Sequence, residues 1–512
     1  MMLAEVERLS TPQVEWSVML PVLILLGGAV VLMVVGALTP RRPKLPWHAG
    51  LTVALASAGI VSSVFLWWRV REDGPISAVA DAVVVDGLSL YLGVAILCSV
   101  ILAALLTHGY LQRERLEGPE PYVLMLLSAA GGLVMVGAND LLVLFLGLEI
   151  LSIAVYVLAG IHVRRARSGE AAMKYFVLGA FSSAFFLYGI AMVYGATGST
   201  NFTKIQTFLA TNVLTNNVML LAGFALLLVG LGFKVAAVPF HAWTPDVYEG
   251  APSPMVAYMA SGVKVAGFAG MIRVFTYTFS TYADDWQPMI YALAVATLLV
   301  GALFAVSQTN VKRMLAYSSI SHAGFILIAV EAASTQGTRS ALFYLATYTF
   351  MVAGSFGVVT VVGRSGDNAH DLSDYSGLAK RSPLLAFAFL VFLLGQAGVP
   401  FTSGFLAKFG VISAAVDARS FWLALIAMLS SVISAFVYLR IVLAMYDREA
   451  EAKGPKLAIP LGARAAILIA LVVTIGVGLV PEPLAHVTRT AVALTHPRPA
   501  PAADPIEISA GG

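Results

Sequence analysis

Long apolar stretches are the feature that most constrains how this chain of 512 residues can fold. Fourteen stretches come close to the roughly 20 residues that an α-helix needs to cross a bilayer. Their approximate limits are 18–38, 49–68, 87–107, 122–137, 141–158, 171–194, 218–240, 255–277, 288–306, 314–330, 341–363, 383–411, 421–445 and 465–480. The connections leave no room for a soluble domain. We predict an all-α polytopic membrane protein in which residues 1–512 form a single transmembrane domain.

The composition excludes the other broad classes of protein. Only 12% of the residues are charged, against about 25% in soluble domains, which excludes an ordinary soluble enzyme. Disordered chains have few apolar residues and many charges, which is the opposite of the balance in this chain. The net charge of +3 is too small to indicate nucleic-acid binding. The single cysteine, Cys98, cannot build a disulfide framework or a cysteine-based metal cluster. Because the sequence also lacks phosphate-cradling and dinucleotide motifs and a heme or iron–sulfur ligand set, we expect no cofactor and no metal on this chain.

The basic residues outside the apolar stretches predict the orientation in the membrane. With the N-terminus counted as connection zero, nine lysines and arginines are assigned to the even connections, among them Arg273 near the end of the eighth stretch, and seventeen are assigned to the odd connections. Basic residues are enriched in cytoplasmic loops. We therefore expect the odd connections in the cytoplasm and both termini outside. The first apolar stretch is predicted to be a retained span, because the chain shows no cleavable signal pattern.

A few charged residues fall inside the apolar stretches, where each costs at least ~2.5–3.5 kcal/mol. The basic ones are Lys174, Lys234, Lys264, Lys408 and Arg440. Among the acids only Glu149 is predicted to lie deep in a span. Lys174 and Arg440 lie near charged segments, so their side chains can also extend to the membrane surface as structural anchors. The other four have roughly ten residues of apolar chain on at least one side and cannot all reach the surface easily, which favours a functional interior.

Two of the apolar stretches share a proline and a nearby lysine. The seventh holds Lys234 followed by Val238-Pro-Phe240, and the twelfth holds Val399-Pro-Phe401 followed by Lys408. Proline removes a backbone donor, so we predict broken helices in spans 7 and 12, although an ordinary proline kink is the simpler interpretation of either one alone. Because the two lie five spans apart, any repeat that relates them is inverted in the membrane.

The buried residue types suit the movement of protons. Burial disfavours the charged form of lysine and glutamate, whereas a nearby opposite charge favours it, so a glutamate–lysine pair can be switched by separation. Sodium sites more often combine several oxygens, and only one deep carboxylate is present, although backbone carbonyls could also serve. His322, in Tyr317-Ser-Ser-Ile-Ser-His322, suits either a proton relay or simple packing. Lys312 is expected to be a cytoplasmic anchor or uptake group.

The connection at 240–254 has three prolines and two acids, which predict a rigid turn on the cytoplasmic side. Its acids, Asp246 and Glu249, could also face a route of proton uptake.

Several motifs together resemble a known family. The run from Gly232 through Pro239-Phe-His-Ala-Trp-Thr-Pro-Asp-Val-Tyr-Glu-Gly-Ala-Pro-Ser-Pro254 to Lys264 is similar to the antiporter-like membrane subunits of respiratory complex I, the bacterial NADH-quinone oxidoreductase. Leu148-Glu149, Ser318-Ser-Ile-Ser-His322 and Phe405-Leu-Ala-Lys408 are also similar. Within that family the residues of this run are most similar to those of the N-type subunits. The L and M subunits and the sodium/proton antiporter subunits have different residues after His-x-Trp.

The resemblance implies an architecture and a set of site residues. It implies two inverted five-helix repeats, at about 122–277 and 288–445. Glu149 and Lys234 would form the coupled pair of the first half-channel, Lys264 and His322 would be central relays, and Lys408 would carry protons in the second half. The possible accessory residues are Lys174, Lys312, Asp246, Glu249 and Arg440.

The resemblance also implies a function. The chain would be a proton-translocating, multi-pass subunit in a bacterial cell membrane, driven by NADH-to-quinone electron transfer in partner subunits. Those partners, other membrane subunits and a peripheral arm, would hold FMN, iron–sulfur clusters and quinone. Two alternatives remain at this point: a subunit of a multi-subunit sodium/proton antiporter, and a structural scaffold whose polar residues only hold helices together.

Overall fold

The computed structural model describes residues 14–39, 47–116, 118–214, 216–447 and 457–496, and these are mostly helical. The α-helices in the first half are α1 (Leu20–Leu38), α2 (Trp47–Asp73), α3 (Gly87–Glu114), α4 (Glu120–Val136), α5 (Leu141–Ala159), α6 (Ala166–Thr197), α7 (Phe202–Thr211), α8 (Val218–Val235), α9 (Trp243–Gly250), α10 (Ser253–Tyr258) and α11 (Lys264–Met271). Those in the second half are α12 (Ala283–Val306), α13 (Val311–Glu331), α14 (Thr335–Val362), α15 (Leu378–Arg381), α16 (Pro383–Ala397), α17 (Ser403–Asp417), α18 (Phe421–Met445), α19 (Leu461–Leu479) and α20 (Glu482–Ala493).

Short elements complete the fold. Two π-helical segments, Met259–Val263 and Ile272–Thr278, flank α11, and 3₁₀ turns lie at Ser280–Tyr282 and Leu372–Tyr375. The all-α prediction is wrong in one detail, because β1 (Ile76–Ala78) and β2 (Val83–Val85) pair as an antiparallel hairpin between α2 and α3. The sequence Val83-Val-Val85 is β-branched throughout, which suits a strand.

A polytopic membrane protein fits this structure. Among the described residues, twelve helical segments are long and apolar enough to cross a membrane. Two further apolar helices, α4 and α16, are shorter. The orientation test rests partly on Arg8, Arg41, Arg42, Lys44, Arg448, Lys453, Lys456 and Arg498, which lie outside the described residues, as do both ends of the chain. The number of fourteen crossings and the outward termini therefore stay predictions.

Side-chain caps fix where several of the helices begin. Asp86 accepts a hydrogen bond of 2.8 Å from the backbone N–H of Ser89 at the start of α3. Asp140 and Asn310 cap α5 and α13 in the same way. Ser334 accepts from the N–H of Gly337 at 3.0 Å at the start of α14. Each cap satisfies a backbone donor that the helix leaves free, which stabilises the helix by about 1 kcal/mol.

The interior of the bundle is formed by the segment Ser253–Thr278 and by α13. All residues in the most apolar part of each of these two segments are buried. These helices have modest hydropathy for membrane spans and carry serine, lysine and histidine. In the outer helices α1, α6 and α19, a third or less of the residues in the most apolar part are buried, and large apolar side chains are exposed. A wide apolar exterior around a polar interior is the arrangement expected of a helix bundle that conducts polar species through a membrane.

Two stretches are interrupted where the proline pattern predicts breaks. The stretch 218–240 is helical only as α8, and the helical path resumes at α9 after an irregular segment. The stretch 383–411 is two separate helices, α16 and α17, with Gly398 between them in the left-handed region at φ 89°. The prediction of a turn over 240–254 is wrong in part, because most of this connection is helical as α9 and the start of α10.

Candidate functional site

Lys234 lies in the last turn of α8, immediately before the break. Its side chain is buried, and its Nζ donates a hydrogen bond of 2.8 Å to Oγ of Ser152 on α5. The rings of Tyr156 and Tyr175 lie with their centroids 5.8 and 5.6 Å from Nζ, within the range of cation–π attraction. No ion pair joins Lys234 to any described carboxylate. The lysine is thus held by neutral groups.

Glu149 is half-buried on the flank of α5 and accepts a hydrogen bond from Ser183 of α6. Since Glu149 and Ser152 are three residues apart, they share a face of α5. A cavity of about 10 Å³, close to the minimum for one water molecule, is lined by Ser152, Ser183 and Lys234. The two members of the coupled pair implied by the resemblance are therefore separated in the structure by two serines, with a cavity between them.

Lys264 begins α11, directly after the π-helical segment Met259–Val263. Its side chain is buried, and its Nζ donates to both the carbonyl and the hydroxyl oxygen of Ser319 at 2.6 Å. The ring of Tyr348 lies 5.7 Å from Nζ. π-Helical turns inside α-helices often occur at functional sites because they redirect side chains. Here too a serine and an aromatic ring take the place of a counter-charge.

His322 lies on α13 between two tyrosines. Nδ1 is 2.6 Å from the hydroxyl of Tyr344, and Nε2 is 3.1 Å from the hydroxyl of Tyr438. The hydroxyl of Tyr438 also contacts Oγ of Ser318, which donates to Oε1 of Gln396 at 3.3 Å. Because hydroxyls and imidazole nitrogens can each donate and accept, this chain of hydrogen bonds is continuous from Tyr344 to the end of α16.

Lys408 lies on α17, just beyond the second break. Its Nζ donates to the backbone carbonyl of Ala397, the last residue of α16, at 3.0 Å, and to Oγ of Ser431 at 2.8 Å. The ring of Phe325 lies 4.8 Å from Nζ. The carbonyl of Ala397 has no following helix turn to satisfy it, so the break itself supplies the partner of the lysine. Gln396 thus lies next to the residue that holds Lys408.

The lysines and His322 are therefore brought to one interior, but their immediate partners were mostly not predicted. Ser319 lies within the motif Ser318–His322, three residues from His322, and Ser152 lies three residues beyond Glu149, so this spacing on one helix face was an available signal. Tyr344, Tyr438 and Ser431 lie on other helices, and nothing local in the sequence links them to the site. The sequence predicted which charged residues are buried, whereas the packing of the helices determined their hydrogen-bond partners.

The possible accessory residues on the predicted cytoplasmic side form ion pairs with one another. Asp246 contacts Nζ of Lys174 at 2.6 Å and the guanidinium of Arg313 at 2.8 Å. Glu249 contacts Arg313 at 2.9 Å. Partial burial raises the pKa of Asp246, but the hydrogen bonds from Lys174 and Arg313 outweigh it and leave the pKa below its usual range. The two acids therefore take part in a network of ion pairs that links α9 to α6 and α13.

Lys312 does not extend to the surface as an anchor, which corrects that expectation. It is completely buried, donates to the carbonyl of Ala251 at 2.6 Å and pairs with Asp367 at 3.4 Å. Asp367 also contacts Arg165 at 3.1 Å and His370 at 2.8 Å. Burial acts to raise the pKa of Asp367, and the surrounding Lys312, His370 and Arg165 lower it further than that, well below its usual range.

Arg273 is the largest departure from the sequence prediction. It was assigned to a connection, yet it lies in the π-helical segment Ile272–Thr278, and both Arg273 and Asp86 are buried and paired at 2.7 Å. Glu149 stays the acid predicted to lie deep in a span, but acids that the sequence analysis placed elsewhere are buried as well. The acids buried in the structure, at helix ends and in loops, are Asp86, Glu114, Glu331 and Asp367.

Arg440 points toward the end of α12, where its guanidinium donates to the carbonyl of Val306. It is half-buried and lies outside the lysine interior, as a structural role requires. No cluster of three histidine, cysteine, aspartate or glutamate side chains that could hold a metal ion occurs in the described part of the chain.

A helix bundle with two interrupted helices and buried lysines beside the breaks defines an antiporter-like membrane subunit. The family model described as "NADH:quinone oxidoreductase/Mrp antiporter, TM" matches residues 138–434, which contain all five proposed site residues. The chain belongs to this family and, within it, to the family of NADH-quinone oxidoreductase subunit N, as its curated relatives show.

Those relatives match over nearly their whole length. NADH-quinone oxidoreductase subunit N of Trichlorobacter lovleyi is 39% identical over 94% of this chain and 98% of its own. Subunit N 1 of Herpetosiphon aurantiacus is 40% identical over 95% of this chain and 99% of its own. Subunit N of Mycobacterium tuberculosis is 39% identical, again over 95% and 99%. The family predicted from the motifs is confirmed.

Solved structures show the same fold. A chain of respiratory complex I from Thermus thermophilus with bound Aureothin is 33% identical, with a TM-score of 0.77, over 91% of this chain and 98% of that one. A chain of the Mrp complex from Dietzia sp. has a TM-score of 0.81 over 94% and 97%, but only 23% identity. The similarity to the Mrp chain therefore supports the fold alone.

Proposed function

We propose that this chain moves protons across a bacterial cell membrane as a subunit of NADH-quinone oxidoreductase. One observation carries the proposal: Lys234, Lys264 and Lys408 are buried in one bundle and are held by serines, carbonyls and rings, with no described carboxylate paired to any of them. A buried ammonium without a counter-charge is costly. The approach or withdrawal of one negative charge can then decide whether each lysine keeps its proton.

The first half of the path runs from Glu149 to Lys234. Glu149 is bound through Ser183, and Lys234 is bound through Ser152, with the small cavity between them. A water molecule there would complete a hydrogen-bonded connection between the two charged groups. A shift of Glu149 along this connection would change the field at Lys234 without breaking a packed contact.

The second half runs from Lys264 through His322 to Lys408. Lys264 is bound to Ser319, and the neighbouring Ser318 joins the chain that contains Tyr438 and His322. An imidazole flanked by two hydroxyls can accept a proton on one nitrogen and release another from the other. Lys408, beside the second break, would then deliver the proton outward.

The finer architecture belongs to the same proposal. We propose fourteen crossings, with α4 and α16 as the two shorter ones, and both termini outside. The repeats would span about 122–277 and 288–445, each containing one interrupted helix and one lysine beside it. The positions of the two breaks support this division, because they lie five predicted spans apart and each has a buried lysine beside it.

The energy would come from partner subunits. The relatives are named as subunits of NADH-quinone oxidoreductase, and we propose that this chain assembles with the other membrane subunits of such a complex and, through them, with its peripheral arm. FMN, iron–sulfur clusters and quinone would be bound by those partners. This chain would act as a translocase and carry out no redox chemistry itself.

The sodium/proton antiporter alternative has less support. Relatives about 40% identical over nearly the whole chain carry the oxidoreductase name, while the Mrp match supports only the fold. Purification of the native assembly separates the two functions, because an antiporter subunit would not co-purify with flavin and iron–sulfur subunits.

The test of proton movement is substitution in the assembled complex. Lys234→Ala and Glu149→Ala should each reduce the protons pumped per NADH into membrane vesicles, while Lys204→Ala, a change of an exposed lysine, should leave pumping unchanged. Co-purification of the variant chain with the flavin and iron–sulfur subunits reports whether the complex is assembled. Normal pumping in both site variants would disprove the pathway, and a parallel loss of assembly and pumping would indicate a structural scaffold.

A further inference from the structure

Another cavity lies away from the buried lysines. It has a volume of about 590 Å³ and opens where the π-helical segment Ile272–Thr278, the start of α14 and the end of α20 meet. This end of the bundle is the one proposed to face outward. The size is typical of a site for a small ligand. None of the proposed translocation residues lines it.

The lining of this cavity is rich in donors. Thr276, Thr335 and Thr338 contribute hydroxyls, and the indole of Trp286 forms part of the wall. Among the described lining residues, Arg339 contributes the only charged side chain. No aspartate or glutamate is present among its described lining residues. The cavity therefore presents a positive charge that no described residue of its wall neutralises.

Two of these groups lack hydrogen-bond partners among the residues that the structure describes. Thr276 is 7% exposed, and its Oγ1 is buried without a hydrogen-bond partner. The Nε of Arg339 is also buried and unpartnered. Arg339 forms no ion pair with the described residues. Buried polar groups in folded proteins are nearly always satisfied, so both atoms point to a ligand.

The start of α14 adds to the positive potential. Its first residue, Thr335, lines the cavity, and Ser334 caps the helix by accepting from the N–H of Gly337. The N-terminus of a helix of 28 residues carries about half a positive charge and favours bound anions. The fixed cation also makes the cavity a poor exit for protons, since an arginine in a polar opening repels them.

We propose that this cavity binds a phosphate-bearing anion. Arginine recognises phosphate through paired N–H donors, and threonine hydroxyls and helix N-termini complete such sites. The anion would be either the headgroup phosphate of an anionic membrane lipid or free inorganic phosphate, because both present the same oxygens. The inference is independent of proton movement, since no residue of the proposed path takes part.

The experiment measures saturable binding to the purified, delipidated complex. The probes are labelled inorganic phosphate, dihexanoyl phosphatidylglycerol and, as a lipid without phosphate, dihexanoylglycerol. The variants are Arg339→Gln and the nearly isosteric Thr276→Val, with Arg419→Gln as the control, because Arg419 is an exposed arginine in another connection of the same predicted side. The melting temperature of each variant without probe reports whether it is folded.

Arg339→Gln should weaken binding about tenfold, the effect of losing one charge-assisted hydrogen bond, and Thr276→Val should weaken it less. Arg419→Gln should bind like the wild type. Binding of phosphate alone would identify a free-anion site, and binding of phosphatidylglycerol without binding of phosphate would identify a lipid site. The proposal is overturned if neither phosphate probe binds saturably, if dihexanoylglycerol binds as well as phosphatidylglycerol, or if folded Arg339→Gln and Thr276→Val complexes bind like the wild type.

Discussion

Lys234 on α8 and Ser152 on α5 are joined by a hydrogen bond of 2.8 Å, although 82 residues separate them in the sequence. Ser152 shares a helix face with Glu149, which is bound in turn to Ser183 on the other side of a water-sized cavity. Two hydroxyls and the cavity therefore separate the carboxylate from the ammonium, and a water molecule in the cavity would complete a hydrogen-bonded connection between them. Such a connection can transmit a change of charge while the two groups stay apart.

Removal of this serine should impair translocation. In Ser152→Ala, Lys234 loses its only side-chain hydrogen bond among the described residues, and a hydrogen bond to a charged group is worth about 1.5–3 kcal/mol. We expect pumping per NADH in vesicles to fall severalfold. Ser62→Ala is the matched control, because the Ser62 hydroxyl is also buried but bonds only to the carbonyl of Gly59 in its own helix. Equal pumping in both variants would show that Ser152 has no role.

The tyrosines on either side of His322 should matter for the rate of proton transfer. Tyr344→Phe removes the hydroxyl 2.6 Å from Nδ1, so one imidazole nitrogen loses its hydrogen-bond partner. Because positioned acid–base groups accelerate proton transfer by about a hundredfold or more, we expect at least a severalfold loss of pumping. Tyr258→Phe serves as the control, since its hydroxyl bonds to Ser128 away from this chain. Retention of full pumping by Tyr344→Phe would contradict the relay.

The buried pair of Arg273 and Asp86 should dominate the stability of the end of the bundle where they lie. Arg273→Gln leaves the carboxylate of Asp86 buried and unpaired, and breaking such a pair costs about 3–5 kcal/mol. The double variant Asp86→Asn/Arg273→Gln should be more stable than the single one, because Asn also caps helices and no charge remains. Melting temperatures of the purified complex test this order. A double variant as unstable as Arg273→Gln would refute it.

His370 should make stability depend on pH. Burial lowers its pKa from the ordinary value of 6.5, with Lys312 and Arg165 also acting to lower it and Asp367 acting to raise it. A lowered pKa means that the unfolded state binds the proton more tightly, so stability is full above about pH 6.5 and decreases as the pH falls below it, by up to about 1.4 kcal/mol per pH unit.

The measurement compares the melting temperatures of the wild-type and His370→Gln complexes at pH 7.5 and pH 5.5. The wild type should lose more on acidification than the variant, because Gln does not titrate. An equal loss in both would exclude His370 as the group responsible.

Much of the protein followed from local features of the sequence. Apolar runs identified the membrane class and most of the helices, and prolines near lysines located the two breaks, because helix length and proline geometry act over a few residues. The motifs from Glu149 to Lys408 identified the family. These are properties that a short window of sequence determines by itself.

Tertiary structure decided which groups meet. Arg273 belongs to a buried pair only because β2 and the start of α3 bring Asp86 against its helix, 187 residues away in the chain. Lys312 is buried because the connection after α14 folds Asp367 over it. Lys234, Lys264 and Lys408 meet serines and carbonyls rather than carboxylates for the same reason. The sequence determined that charges would enter the membrane, and long-range packing determined their partners, since contact between distant helices depends on the whole bundle.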